Sequence, residues 1–526
     1  MQWKVYGLKR LVDHQDKVEG SMSLAIVYSR ARVAIDAPLV QVEVHISNGL
    51  PAFSIVGLPE TTVKEARDRV RSAIINSEFE FPDKRITVNL APADLPKEGG
   101  RFDLPIAIGI LAASQQIPLE AIAEYEFAGE LALSGELRAI LGEIPFTMAC
   151  HQAKRKTILP LSNAQTAARI QQAQVFGATN LIAVKQHLTT EQVLQQARCE
   201  QTIQDTEYLL DMQDVIGQPH AKKALEVAAA GGHHMLMLGP PGTGKTMLAE
   251  RLATILPPLS EQQAITTAAI YSITGKQIAN DNWYTRPFRS PHHTCSAVAL
   301  VGGSSQPKPG EISLAHNGVL FLDELPEFDR KVLDVLREPL ESGKVTISRA
   351  ARQVDFPAEF QLIAALNPSP CGHYNDEQMR STPEQMLRYL SKLSGPFLDR
   401  IDIQIEVARL PKGSLRDNLE RGETSAQIRQ RVLAAHAMQL ERQGKLNCEL
   451  SNRELEQHAA INAADADFLE TAIEKLNLSI RAYHRLVKVA RTLADLTGSE
   501  QIDRSHLAQA LSYRAMDRLL IQLRNL

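Results

Sequence analysis

The sequence predicts an α/β multidomain protein: an α+β front domain, a P-loop α/β domain on a parallel sheet, and a helical C-terminal lid. Three observations predict it. First, the apolar run 235–238 leads into Gly239-Pro240-Pro241-Gly242-Thr243-Gly244-Lys245-Thr246, which fits G-x-x-x-x-G-K-[ST]; Leu248, Ala249, Leu252 and Ala253 then resume at helical spacing. Second, another apolar run, 319–322, ends in Asp323-Glu324. Third, residues 424–443, 464–476, 479–495 and 503–517 all show helical spacing.

The chain has 526 residues, which suggests roughly three domains at about 100–200 residues each. It is 44% hydrophobic and 22% charged, with a formal net charge of −4, the composition of a globular protein with real cores. That balance argues against a generic nucleic-acid coat, so any DNA contact must come from a local basic surface. Cys150, Cys199, Cys295, Cys371 and Cys448 are scattered and include no C-x-x-C pair, the pattern of a reduced, cytoplasmic compartment. There is no apolar run long enough to predict a membrane span, and the first residues lack the apolar core of a signal peptide. Residues 1–21 are polar and aperiodic and read as a loosely attached extension, possibly disordered, with Met22 as a candidate true start.

Residues 22–190 mix strands and helices. The runs 24–27, 40–46, 53–56, 85–90, 157–160 and 181–184 read as strands. Val63, Ala66, Val70 and Ala73 set a helix over 61–75, and a second helix follows Pro105. The stretch 127–137 reads as two short strands about a turn at Ser134-Gly135. This domain resembles the proteolytic domain of Lon proteases, on the strength of the run 129–140 and the loop Pro96-Lys97-Glu98-Gly99-Gly100 before a helix. Lon chemistry needs a serine activated by a lysine. No Ser, Thr or Cys lies between residues 91 and 113, and no lysine lies in 142–145. The resemblance therefore implies the fold without the catalytic dyad. The domain is read as a docking, oligomerisation or nucleic-acid-contact module without peptidase activity, and Arg101 and Asp103 as supports of the fold. Residues 191–210 are polar and Gln-rich, either a helix or a flexible tether.

The chemistry sits in residues 211–410. Glycines let the loop amides turn around a phosphate at a helix N-terminus, Lys245 can reach the β- and γ-phosphates, and Thr246 can offer its hydroxyl to Mg²⁺. The run 319–322 lacks alternation, as a strand buried on both faces should. It delivers Asp323 to the ligand-binding edge of an open sheet, where it can hold Mg²⁺ through water, with Glu324 placed to polarise the attacking water. A third buried run, 360–366, ends in Asn367-Pro368; Asn367 can orient the same water. Arg400 precedes a predicted strand at 401–407. It is either a finger that reaches a neighbour's γ-phosphate or the partner of Asp402 in its own chain. In the lid, 411–526, Ser479 is a plausible N-cap that puts Arg481 in the first turn of its helix.

These elements together resemble the AAA+ ATPases of the magnesium-chelatase-like branch, and the runs 286–296, 308–318 and 337–349 narrow the resemblance to the ComM/YifB family. The resemblance covers nearly everything but residues 1–21. It implies an ATP- and Mg²⁺-dependent homohexamer, formed with ATP, that drives branch migration on single-stranded and branched DNA during natural transformation. It makes Arg481 the second nucleotide sensor. Two inserted segments supply the DNA candidates: Arg286 and Arg289, beside His292 and His293, in one; Lys344, Arg349 and Arg352, flanking a predicted hairpin KVTISRAARQVDF, in the other. They either face a central pore or brace subunit contacts. Relatives often carry a cysteine-rich run after the sensor asparagine. Here only Cys371 and His373 remain, too few for a closed zinc site, so no structural metal is expected. Three other readings compete. A magnesium-inserting chelatase motor is disfavoured by the Lon-like front, an ATP-dependent protease by the missing dyad, and a nucleotide-binding scaffold by Glu324 and Asn367.

Overall fold

The computed structural model describes residues 23–57, 65–199, 209–303, 307–349, 352–371, 381–410, 422–476 and 478–525. The expected extension at 1–21, residues 200–208 of the expected linker, the start of the helix at 61–75, His373 and the first residues of the lid lie outside them. Residues up to Thr202 form one compact unit and those from Ile203 a second.

The front unit is built on a seven-stranded mixed sheet. Its order is Ala52–Val56, Arg85–Ala91, Leu39–Ser47, Ser23–Arg30, Tyr125–Phe127, Lys156–Pro160 and Val175–Ala178. Leu39–Ser47 alternates strictly between buried and half-buried residues, with Val40, Val42, Val44 and Ile46 turned to the core. Against it packs the helix Asp103–Ala113, every residue of which is buried. Gly109 sits on Val44, where a Cβ would lie 2.5 Å from its side chain. The tight turn at Ser134-Gly135 joins two short paired strands, Glu130–Leu131 and Leu137–Arg138, as expected. One expectation fails. Residues 181–184, read as a strand, belong to the helix Leu181–Leu188. Asn180 caps it, its side-chain oxygen accepting from the Ala183 amide at 2.8 Å. Four apolar residues in a row fit a buried strand and a buried helix turn equally, and the cap decides.

The second unit contains a five-stranded, all-parallel sheet in the order Phe288–Arg289, Val319–Leu322, Gln361–Leu366, Met235–Leu238 and Ile403–Glu406. The three central strands are buried at every residue, which accounts for their unbroken apolar runs. The C-terminal helices Ser425–Gln443, Asn452–His458, Ala463–Lys475, Ile480–Leu496 and Arg504–Ser512 share this unit's core, and Ala515–Asn525 follows them. Polar stitches join them to it: Gln439 donates to the Ala230 carbonyl at 2.9 Å, and Thr254 and Ser425 join hydroxyl to hydroxyl at 2.7 Å.

Candidate nucleotide site

The parallel register places three strand ends side by side. Leu238 pairs with Leu366, and Leu322 with Ala364, so the residues that follow, Gly239, Asn367 and Asp323, emerge at one edge. This is the edge where ligands bind in open α/β sheets. Gly239 must be glycine, because a Cβ there would lie 2.3 Å from the Val407 carbonyl oxygen. Gly244 takes a left-handed φ of 89° and opens the helix Lys245–Ile255, whose first amides have no partner within the helix.

Lys245 is almost fully buried. Its ammonium donates to the Gly239 and Pro240 carbonyls at 2.7 and 2.8 Å and to Asn367 Oδ1 at 3.2 Å. Burial lowers its pKa, against the pull of Asp323 and Glu324, which raises it. Thr246 Oγ1 donates to Asp323 Oδ2 at 2.7 Å. A hydroxyl and a carboxylate side by side are the hard oxygen donors that Mg²⁺ prefers, and the lysine and helix amides suit phosphate oxygens. The residues present therefore fit a magnesium nucleotide.

Glu324 follows Asp323 in a left-handed conformation, φ 51° and ψ 47°, rare for a residue with a side chain. Asp323 Oδ1 accepts its amide at 2.8 Å. The Glu324 carboxylate lies 3.1 Å from His293 Nδ1, and the His293 ring stacks on His292 with centroids 4.1 Å apart. Sequence reasoning placed His293 in a DNA-contact insert. Nothing in its spacing marks it as the neighbour of Glu324. The edge strand Phe288–Arg289 brings it there.

The arginines lie elsewhere. Asp402 and His234 precede their strands, at the edge opposite the loop; the Asp402 amide donates to the His234 carbonyl at 3.1 Å. Each of these four-residue strands spans roughly 13 Å at about 3.3 Å per residue. Arg400 sits at that far edge, buried, donating to Glu341 and to the Pro396 carbonyl. The pairing of Arg400 with Asp402 does not occur. Asp402 takes Arg485 at 2.5 Å and His233 at 3.2 Å. Burial alone would raise the Asp402 pKa, but Arg485, His233 and His234 hold it well below the usual carboxylate range. Arg485 also donates to the Arg400 carbonyl at 2.8 Å. Arg481 stands exposed one turn before Arg485, in the first turn of a helix capped by Ser479, whose hydroxyl accepts from the Ala482 amide at 3.2 Å. Arg400 thus sits away from Lys245, and Arg481 lies one helical turn from the residue that holds the Arg400 carbonyl.

The basic inserts differ as well. Arg286 donates to the Pro257 and Asn317 carbonyls, at 2.6 and 2.7 Å, and Arg289 grips Glu311 with two bonds, at 2.6 and 2.8 Å. Both guanidiniums brace their own subunit. The hairpin forms as expected, Lys344–Arg349 against Arg352–Pro357 in antiparallel register with Arg349 opposite Arg352. Val345, Ile347, Val354 and Phe356 bury one face; Lys344 lies on the other, paired with Asp355 at 2.8 Å. Glu341, which holds Arg400, stands in the short helix Pro339–Ser342 that leads into this hairpin. Cys371 bonds Ser369 and Ser381 through its sulfur, at 3.1 and 3.3 Å.

The family model described as "Magnesium chelatase, subunit ChlI" matches residues 211–415, its companion "Subunit ChlI of Mg-chelatase" matches 42–163, and the C-terminal model of the same subunit matches 422–514. Competence protein ComM of Haemophilus influenzae is 56% identical, over 96% of this chain and 100% of its own length. The YifB protein of Escherichia coli is 53% identical, again over 96% of this chain and 100% of its own. Lon protease 2 of Bacillus subtilis is 28% identical over 30% of this chain and 32% of its own.

Proposed function

We propose that this chain, which belongs to the ComM/YifB family of magnesium-chelatase-like AAA+ ATPases with a Lon-protease-like front domain, is a hexameric ATP-driven DNA motor. It promotes branch migration when DNA acquired by natural transformation recombines. The observation that carries this reading is the convergence of Lys245, Thr246, Asp323, Glu324 and Asn367 on one strand edge. The relative named as a competence protein, matched end to end, supplies the biological setting.

In this reading residues 22–190 form the Lon-like domain, 191–210 a linker, 211–410 the motor and 411–526 the lid. Loop amides from Gly239 to Thr246 and the Lys245 ammonium bind the phosphates. Thr246 and Asp323 would hold Mg²⁺, which would supply positive charge to the phosphate oxygens. Glu324 takes the proton of the attacking water once its carboxylate leaves His293, and Asn367 orients that water. Arg400 and Arg481, at the opposite edge, serve the nucleotide of a neighbouring subunit; Arg400 would contribute roughly 10³–10⁵ in rate. Glu341 ties Arg400 to the base of the hairpin, so DNA on Lys344, Arg349 and Arg352 has a direct path to the finger. No helix among the described residues is long and apolar enough to cross a membrane, and the reading needs none.

The test is strand separation on a labelled four-way or three-stranded junction, with ATP and Mg²⁺ at low salt. Junction processing is expected, and mixing inactive Arg400→Ala with inactive Lys245→Ala should restore part of the ATPase in mixed rings. If an active ATPase neither binds nor processes branched or forked DNA, the motor reading fails. The chelatase description of all three family models then favours a motor of that type with a non-DNA client.

A further inference from the structure

The front unit carries a cleft of about 580 Å³ that no step above uses. It opens where three parallel strands begin, and His151, Lys154, Arg155, Lys156, Gln172 and Gln174 line it. Lysine and arginine offer hydrogen-bond donors only, and the two glutamines add amide donors. The one carboxylate in the lining, Glu124, is already matched by Lys156 at 2.6 Å. The apolar contribution is two alanines, so neither an aliphatic ligand nor a stacked base finds a surface there.

Two further features shape the cleft. Lys154 and Gln172 both hold left-handed backbones, φ 57° and 65°, that residues with side chains rarely adopt. Lys154 stands where the helix Glu143–Gln152 ends, its amide donating to the His151 carbonyl at 2.9 Å and that of Arg155 to the Cys150 carbonyl at 3.0 Å. Helix ends of this kind usually take glycine. Glu78, Gln115 and Thr190 follow other helices of this unit in the same left-handed way, so the turn at Lys154 is a helix ending that this fold repeats. In addition, the Arg155 guanidinium is fixed in place, stacked over the Tyr28 ring at 3.6 Å and 3.5 Å from Glu126.

We propose that this cleft binds backbone phosphates of nucleic acid, without reading bases, and so makes the front unit a second DNA-contact surface. The proposal rests on the DNA-motor reading. Phosphate oxygens are its chemistry, whether they come from DNA or from a free polyphosphate, and the test separates the two sources.

Glycine is the natural tool at position 154, because Lys154→Gly relieves the backbone while removing the charge. The full-length chain, wild type, Lys154→Gly and Lys154→Glu, is titrated with a labelled four-way junction over a range of salt, and its melting is followed with and without sodium tripolyphosphate. Lys154→Gly should melt no lower than wild type. It should bind the junction more weakly, the slope of log affinity against log salt falling by about one. Lys154→Glu should bind more weakly still. Unchanged affinity and slope in both variants, with wild type binding normally, overturns the cleft and leaves the motor reading standing. If wild type binds no DNA, the motor reading is what fails. A tripolyphosphate-induced rise in melting that Lys154→Gly loses and Lys245→Ala keeps would then assign the cleft to a free polyphosphate, and its absence would overturn the cleft as well.

Discussion

The buried ion pairs of the front unit and the open strand edge of the P-loop unit handle charge in opposite ways. In the front unit the buried ions close on each other: Arg30 meets Glu126 at 2.6 Å, and Arg69 meets Asp103 at 2.8 Å, each acid fully buried. Arg101, at the degenerate Lon loop, is spent on the backbone carbonyls of Arg30 and Leu141, and burial lowers its pKa to about 10. At the P-loop edge, by contrast, a buried Lys245, a partly buried Asp323 and an exposed Glu324 collect around carbonyls and a hydroxyl that a ligand can replace. The lesson is that buried charge marks a site only when something is left for a ligand to take. A closed pair holds a fold together, and a lysine resting on loop carbonyls is ready for exchange.

The largest effect should come from the open edge. Glu324→Gln keeps its hydrogen-bonding shape and loses its basicity, so ATP hydrolysis should fall by about 10²–10⁴ while nucleotide binding persists. A steady-state ATPase assay beside a binding titration checks it, and wild-type turnover would erase the contrast between the units.

A smaller effect should appear in the front unit. Burial raises the Glu143 carboxyl from an ordinary 4.5 to about 7. A raised folded-state pKa contributes stability that is complete below about pH 4.5 and is lost as pH rises through 7. Glu143→Gln should remove that loss. The variant should melt with wild type near pH 4 and above it at pH 8, by up to about 3 kcal/mol at ~1.4 kcal/mol per pH unit. Parallel melting curves across that range would mean that this charge is not buried at a cost. The smallest effect belongs to the exposed hairpin. Lys344→Gln should leave hydrolysis in the absence of DNA alone and lower the salt slope of DNA binding by about one, measured by anisotropy. A change in basal hydrolysis instead would move Lys344 from DNA contact to the catalytic edge.

Much of the nucleotide site was legible in the sequence because its signals are local: a loop, a strand end and the residue after it. Asp323, Glu324 and Asn367 each follow a buried apolar run, and the runs became adjacent parallel strands. The fold was legible wherever a period or a turn residue repeated. It was not at 181–184, where four apolar residues carry no period and a single asparagine decides. The contacts around Arg400 were illegible for a different reason. Arg485 touches Arg400 across 85 residues and Glu341 reaches it across 59, distances over which no spacing pattern survives. Arg289 looked available for DNA because a charge in a basic run gives no sign of Glu311 waiting 22 residues on.

The separation of Lys245 from Arg400 across the sheet has a consequence for population behaviour. Under the proposed arrangement, in which a neighbour lends the finger, each chain would be a donor at one rim and a recipient at the other, and no molecule would complete its own circuit. Specific activity would then depend on how crowded the chains are: dilution would act as an inhibitor, and the rate would climb faster than the amount of protein. Defects would be contagious by one step, because a subunit lacking Arg400 would silence the site next door while its own continued. In a cell making both good and bad copies, the good ones would be taxed in proportion to how often they sit beside the bad.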